Sequence, residues 1–61
     1  MTPTPTVLRL LIVDDDPMMR LGLTAALASQ VDLKVLGEAV DGQQGIDQGA
    51  ALQPDVVLMD V

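Results

Sequence analysis

The sequence predicts an α/β fold: strand, helix, strand, helix, strand, with three parallel strands in the order 2-1-3, a doubly wound arrangement. Short apolar runs of strand length alternate with stretches of helical periodicity. The connections between them are short, which makes the strands parallel and the crossovers right-handed. The choice between orders 1-2-3 and 2-1-3 follows from composition. The second strand carries charge and glycine, which suits an edge, whereas the first is apolar apart from one arginine and belongs in the middle.

Taken in order, "MTPTPT" has neither a basic segment nor an apolar one. Residues 1–7 therefore read as a flexible lead-in and not a signal peptide, with one small domain over residues 8–61. Leu8–Val13 is apolar but for Arg9 and has the length of a strand buried on both faces. Asp16 before Pro17 is a favoured cap, so a helix opens at about Pro17 and fades near Ser29–Gln30. Met19, Gly22, Leu23, Ala26 and Leu27 make its core stripe, with Met18, Leu21 and Ala25 as a second stripe beside it. Leu33–Ala39, interrupted by Lys34, Gly37 and Glu38, is the edge strand. After the turn at "VDG", Gln43–Gln53 forms a weak helix with Gly45, Ile46, Gly49 and Leu52 facing inward. Its two interior glycines cost about 1 kcal/mol each relative to alanine, and they also permit close packing on a sheet. Pro54 ends the helix, and Val56–Met59 is a third buried strand closed by Asp60 and Val61.

Composition excludes several functions. The 61 residues include no Cys, His or aromatic residue, so thiolate and imidazole chemistry are absent and the core is Leu, Val, Ile, Met and Ala. Nine acids against three bases give a net charge of −6, which argues against nucleic acid or an anionic membrane as a direct partner. No apolar run approaches the roughly 20 residues that span a bilayer, so a soluble cytoplasmic chain is expected.

The order 2-1-3 has a chemical consequence. Strands one and three become neighbours about 4.8 Å apart, and Asp14, Asp15 and Asp60 arrive at the crevice between their C-terminal ends, the switch point where such sheets bind ligands. Converging carboxylates repel and need a cation, and only Arg20 is placed to lie near them. Hard oxygen donors suit Mg²⁺, and a carboxylate beside it can act as a nucleophile toward phosphorus. The plain alternative is that Asp16 caps a helix, Asp14 and Asp15 are solvated loop acids and Asp60 is a bare strand-end acid.

"LLIVDDDPMMRLGL", "GEAVDGQQGI" and "PDVVLMDV" resemble, in register, the opening half of a bacterial response-regulator receiver domain, from about Leu8 to Val61. They are most similar to receivers with a C-terminal helix-turn-helix output domain. The resemblance implies a flavodoxin-like fold, with Asp15 the direct Mg²⁺ ligand and Asp14 acting largely through water. It also implies that Asp60 is a metal ligand and the phosphoacceptor, served by a histidine kinase. Asp16 falls at the variable third acid of the run and is assigned capping alone. A whole receiver has five strands and five helices, and its later elements supply a loop carbonyl, a Ser/Thr and a Lys to the phosphoryl site. Without them the 61 residues are expected to be a poor phosphoacceptor, and not an enzyme.

Other acid-bearing families fit less well. No G-x-x-x-x-G-K-[ST] accompanies "VVLMD", as a nucleotide hydrolase requires. Asp14 and Asp16 have the D-x-D spacing of haloacid-dehalogenase-like phosphatases, but Met18 and Met19 fit that family poorly. An EF-hand needs glycine and glutamate where Met19 and Ala25 stand, and dinucleotide binding needs glycines after the first strand. The competing functional class is an assembly module, natural or engineered. In either class the half-fold is expected to complete itself as a homodimer through the Val56–Met59 edge and the Met18, Leu21 and Ala25 face.

Overall fold

Alternation of strand and helix is what the computed structural model displays, over residues 7–60. In chain order the elements are β1 (Leu8–Asp14), α1 (Pro17–Ala28), β2 (Leu33–Ala39), α2 (Gly42–Leu52) and β3 (Val56–Asp60). The three strands are parallel in the order β2-β1-β3, with the charged second strand at an edge as its composition requires. Residues 1–6 of the expected lead-in and Val61 lie outside the described residues; Val7 is exposed. Among the described residues no helix is long and apolar enough to cross a membrane.

β1 is the spine of the molecule. Leu10, Leu11, Ile12 and Val13 are buried, because neighbours flank β1 on both sides and helices cover both faces. Leu11, Val13 and Ala39 form the core under α2, joined by half-buried Leu52. Leu10, Ile12 and Asp14 alternate to the opposite face, toward α1.

The β1–β2 register shifts between Leu10 and Leu11, so that Leu10 opposes Val35 while Leu11 opposes Gly37. Leu36 is the extra residue of this irregularity. Unbroken pairing would set Glu38 opposite Val13, in the apolar core under α2. The shift sets Ala39 there and turns Glu38 to the α1 face, where it meets Arg20 at 3.6 Å.

Both helices start on aspartate caps. Asp16 accepts from the N–H groups of Met18 (2.9 Å) and Met19 (3.4 Å). Asp41 accepts from the N–H of Gln44 (2.8 Å), whose side-chain oxygen accepts in return from the N–H of Val40 (3.1 Å), a reciprocal closure of the helix start. α2 ends on Gln53 in the left-handed conformation, φ 50°, with its N–H donating to the Gly49 carbonyl.

Three expectations about faces need correction. The half-buried residues of α1 are Arg20, Leu23, Thr24 and Leu27, while Met19, Gly22 and Ala26 are exposed. The helix is turned so that Arg20 reaches the sheet, which moves Met19 outward. In α2, Ile46 is 68% exposed and Gln48 takes the inward place, donating from Nε2 to the Glu38 carbonyl at 2.6 Å. The third strand, expected to be buried, is exposed throughout, because it makes its substantial contacts with β1 alone.

Glycine matters at one helix position in particular. A Cβ on Gly45 would lie 3.0 Å from Val13 Cγ2, so α2 rests on the sheet through this residue. Gly49 has nothing within 4 Å of its Cβ position and makes no such approach.

Candidate functional site

The carboxyl ends of β1 and β3 meet with Asp14 and Asp60 directly opposite one another in the parallel register. Asp14, the last residue of β1, is only 2% exposed. Its Oδ1 accepts from the Asp16 N–H at 2.9 Å, which folds the acidic run tightly around the strand end. Its Oδ2 is buried and has no hydrogen-bond partner. Asp15 and Asp60 are exposed.

Asp60 stands between two open crevices. One, on the α1 side, is lined by Val13, Asp14, Leu23, Leu58, Met59 and Asp60. The other, at the start of α2, is lined by Val13, Asp15, Val40, Asp41, Gly42 and Asp60. The fold therefore brings Asp60 beside Asp14, which ends β1, and beside Asp15, which follows it, but does not draw all three into one cage. Among the described residues no group of three acids is close enough to hold a metal by itself. Mg²⁺, which takes one or two carboxylates and keeps several waters, does not need such a cage. An unpartnered buried carboxylate oxygen on Asp14 is the kind of atom that a cation or its bound water satisfies.

Arg20 lies beside the cluster, as expected, but it bonds to the Asp14 backbone and pairs with Glu38 without pairing with the Asp14 carboxylate. Its Nη1 donates to the backbone carbonyl of Asp14 at 2.7 Å, and its Nε lies 3.6 Å from Glu38 Oε1. Held between the end of β1 and β2, the guanidinium fixes the strand end and leaves the Asp14 carboxylate to other partners. Asp16 spends its side chain on the α1 cap.

Sequence reasoning missed a second constellation at the opposite end of the β1–β3 pair. Asp55 Oδ2 accepts from the Arg9 N–H at 2.8 Å and from Arg9 Nε at 3.4 Å, while the Asp55 N–H donates to the Arg9 carbonyl at 2.8 Å. Arg9 Nη2 donates to the Gln53 carbonyl at 2.8 Å. The backbone hydrogen bond from Arg9, then its side chain, lowers the Asp55 pKa below the usual carboxylate value. A charged residue breaking an apolar strand, with an acid directly before another strand, was the available signal.

An open parallel sheet with its acids at the carboxyl ends of neighbouring strands places the chain in the doubly wound α/β class. The response regulator receiver domain profile matches residues 10–61, and the chain belongs to that family. It is 47% identical over 55 residues to the transcriptional regulatory protein LiaR of Bacillus subtilis (strain 168), covering 90% of this chain and 26% of LiaR. It is 40% identical over 52 residues to the nitrate/nitrite response regulator protein NarL of Escherichia coli (strain K12), covering 85% of this chain and 24% of NarL. In three dimensions it resembles the crystal structure of the response regulator domain of Thermotoga maritima CheB, with a TM-score of 0.87 and 44% identity. That match covers 90% of this chain and 41% of the CheB domain. The chain thus spans about a quarter of the length of the two regulators.

Proposed function

We propose that this chain is the acid-bearing part of a two-component receiver in which Asp60 accepts a phosphoryl group from a histidine kinase. The observation that carries the reading is the register pairing of Asp14 with Asp60, together with the crevice that Asp60 shares with Asp15. A carboxylate oxygen of Asp60 attacks phosphorus, the phosphorus–nitrogen bond to the kinase imidazole breaks, and an acyl phosphate forms. The leaving imidazole keeps the bond's electron pair and takes up a proton. Asp15 and Asp60 would hold Mg²⁺, with Asp14 assisting through water. Mg²⁺, when bound, would supply positive charge that offsets the charge developing on the transferred phosphoryl group. The buried Asp14 fixes the end of β1, and its bond from the Asp16 N–H orients the loop that carries Asp15. In the whole protein, this receiver would control a DNA-binding output domain.

Among the described residues no lysine or hydroxyl side chain lines either crevice, so the 61 residues alone label weakly. Intact-mass spectrometry after treatment with Mg²⁺ and acetyl phosphate tests this. A trace adduct that disappears in Asp60→Asn is expected, and an adduct that persists in that variant would overturn Asp60 as acceptor. Melting with and without Mg²⁺ tests the metal site. At ten times its Kd the ion adds about 1.4 kcal/mol of stability. An equal response in wild type and Asp15→Ala would remove that ligand.

A second reading rests on a different observation. Val56, Val57, Leu58 and Met59 are exposed along β3, and Met18 and Leu21 are 81% and 71% exposed on α1. An open apolar strand edge is a template for pairing, and a second copy of the chain can cover it under two-fold symmetry. Sedimentation equilibrium across a dilution series is the measurement. A dimer that loses structure on dilution is expected, and a cooperatively folded monomer at micromolar concentration would refute it.

A further inference from the structure

The acid crevice requires Asp60 to stand opposite Asp14, yet little along β3 itself enforces that register. The strand reads "VVLMD", with four consecutive apolar residues, so its side chains do not distinguish one face from the other. It makes its substantial contacts with β1 alone. Register is weakly specified in a strand whose two faces are chemically alike, and a slip of one residue exchanges the faces of every side chain. Such a slip in β3 would place Asp60 opposite Val13, on the face packed by α2, and Met59 opposite Ile12.

We infer that the Arg9–Asp55–Gln53 clamp is a register pin that positions Asp60. It lies immediately before β3, where a shift of one residue breaks every contact at once. The Arg9 and Asp55 backbones are joined by the bond from the Asp55 N–H to the Arg9 carbonyl at 2.8 Å. The Asp55 carboxylate accepts from the Arg9 backbone N–H at 2.8 Å, so side chain and main chain fix the same residue pair. Arg9 Nη2 reaches the Gln53 carbonyl at 2.8 Å, where the chain leaves α2 with φ 50°, which sets the point at which the crossover delivers β3. Five residues at about 3.3 Å each separate Asp55 from Asp60, roughly 16 Å, so the pin acts through register and not through contact. Arg9 and Asp55 are thus positioning residues for the acid crevice. The functional meaning rests on the phosphoacceptor reading, while the geometric claim stands apart from it.

The test is NMR of the full chain, reading cross-strand nuclear Overhauser contacts between Val13 and Met59 and between Asp14 and Asp60. Asp55→Ala removes both bonds to the carboxylate, whereas Arg9→Ala leaves the backbone N–H bond and removes the guanidinium. The expected result is loss of a single native contact set, with a second set of β3 signals more populated in Asp55→Ala than in Arg9→Ala. Asp55→Asn, which keeps an oxygen acceptor, should restore the native contacts. A single native register in Asp55→Ala, even with a lowered melting temperature, overturns the proposal. If Asp55→Ala does not fold, Arg9→Ala decides, and one native register there overturns it equally. Because the readout is strand register, it is independent of whether Asp60 takes a phosphoryl group.

Discussion

Replacing each interior glycine of α2 with alanine should move stability in opposite directions. At Gly49 the new methyl meets nothing within 4 Å, so the variant gains the helix propensity of alanine, about 1 kcal/mol. At Gly45 the same gain is opposed by contact with Val13, whose Cγ2 and Cγ1 would lie 3.0 and 3.4 Å from the new Cβ. Val13 is 2% exposed, β-branched and on the central strand, so neither its rotamer nor its backbone yields readily. Overpacking of this kind costs about 1–3 kcal/mol, which leaves Gly45→Ala destabilised by roughly 1 kcal/mol. The two variants should therefore differ by about 2 kcal/mol, or roughly 8–16 °C in melting temperature for a chain of this size. Thermal unfolding by circular dichroism, at one fixed protein concentration, measures this. Repeating Gly45→Ala in a Val13→Ala background should abolish its penalty, since the two sites couple through one contact. Equal stabilisation by both alanines would refute the close approach of α2 to the sheet.

Asp16→Ala should lower stability by about 1 kcal/mol through loss of the α1 cap, as read in urea melts. Its effect on Mg²⁺ response should be slight, because the bond to Asp14 comes from the backbone N–H of residue 16. Asp55 makes a pH-dependent contribution: Arg9 lowers its folded pKa, so the stabilisation is present above the unfolded value of about 3.9 and is lost as pH falls through the folded value. The difference in melting temperature between wild type and Asp55→Asn should be constant near neutrality and shrink below about pH 4. A difference that stays constant into acid would exclude the ionised carboxylate as its source.

The sequence by itself determined the order of elements, because apolar runs and helical periodicity are local properties. It also determined strand order, since Lys34, Gly37 and Glu38 mark β2 as an edge, and hence that Asp14 and Asp60 end adjacent strands. The cap at Asp16 follows from short-range backbone chemistry, whereas the cap at Asp41, within the segment read only as a turn, emerged from the structure. Only the tertiary structure decided how each helix is rotated about its axis. Arg20 displaces Met19 from the sheet-facing side of α1, and Gln48 displaces Ile46 in α2, because each polar side chain finds a backbone carbonyl there. It alone decided that Gly45 touches Val13 while Gly49 touches nothing, and that an irregularity at Leu36 turns Glu38 out of the core. The Arg9–Asp55 clamp joins residues 46 positions apart, a relation no local pattern encodes. Periodicity fixes which elements form; their rotation and register depend on groups that meet only when the sheet has assembled.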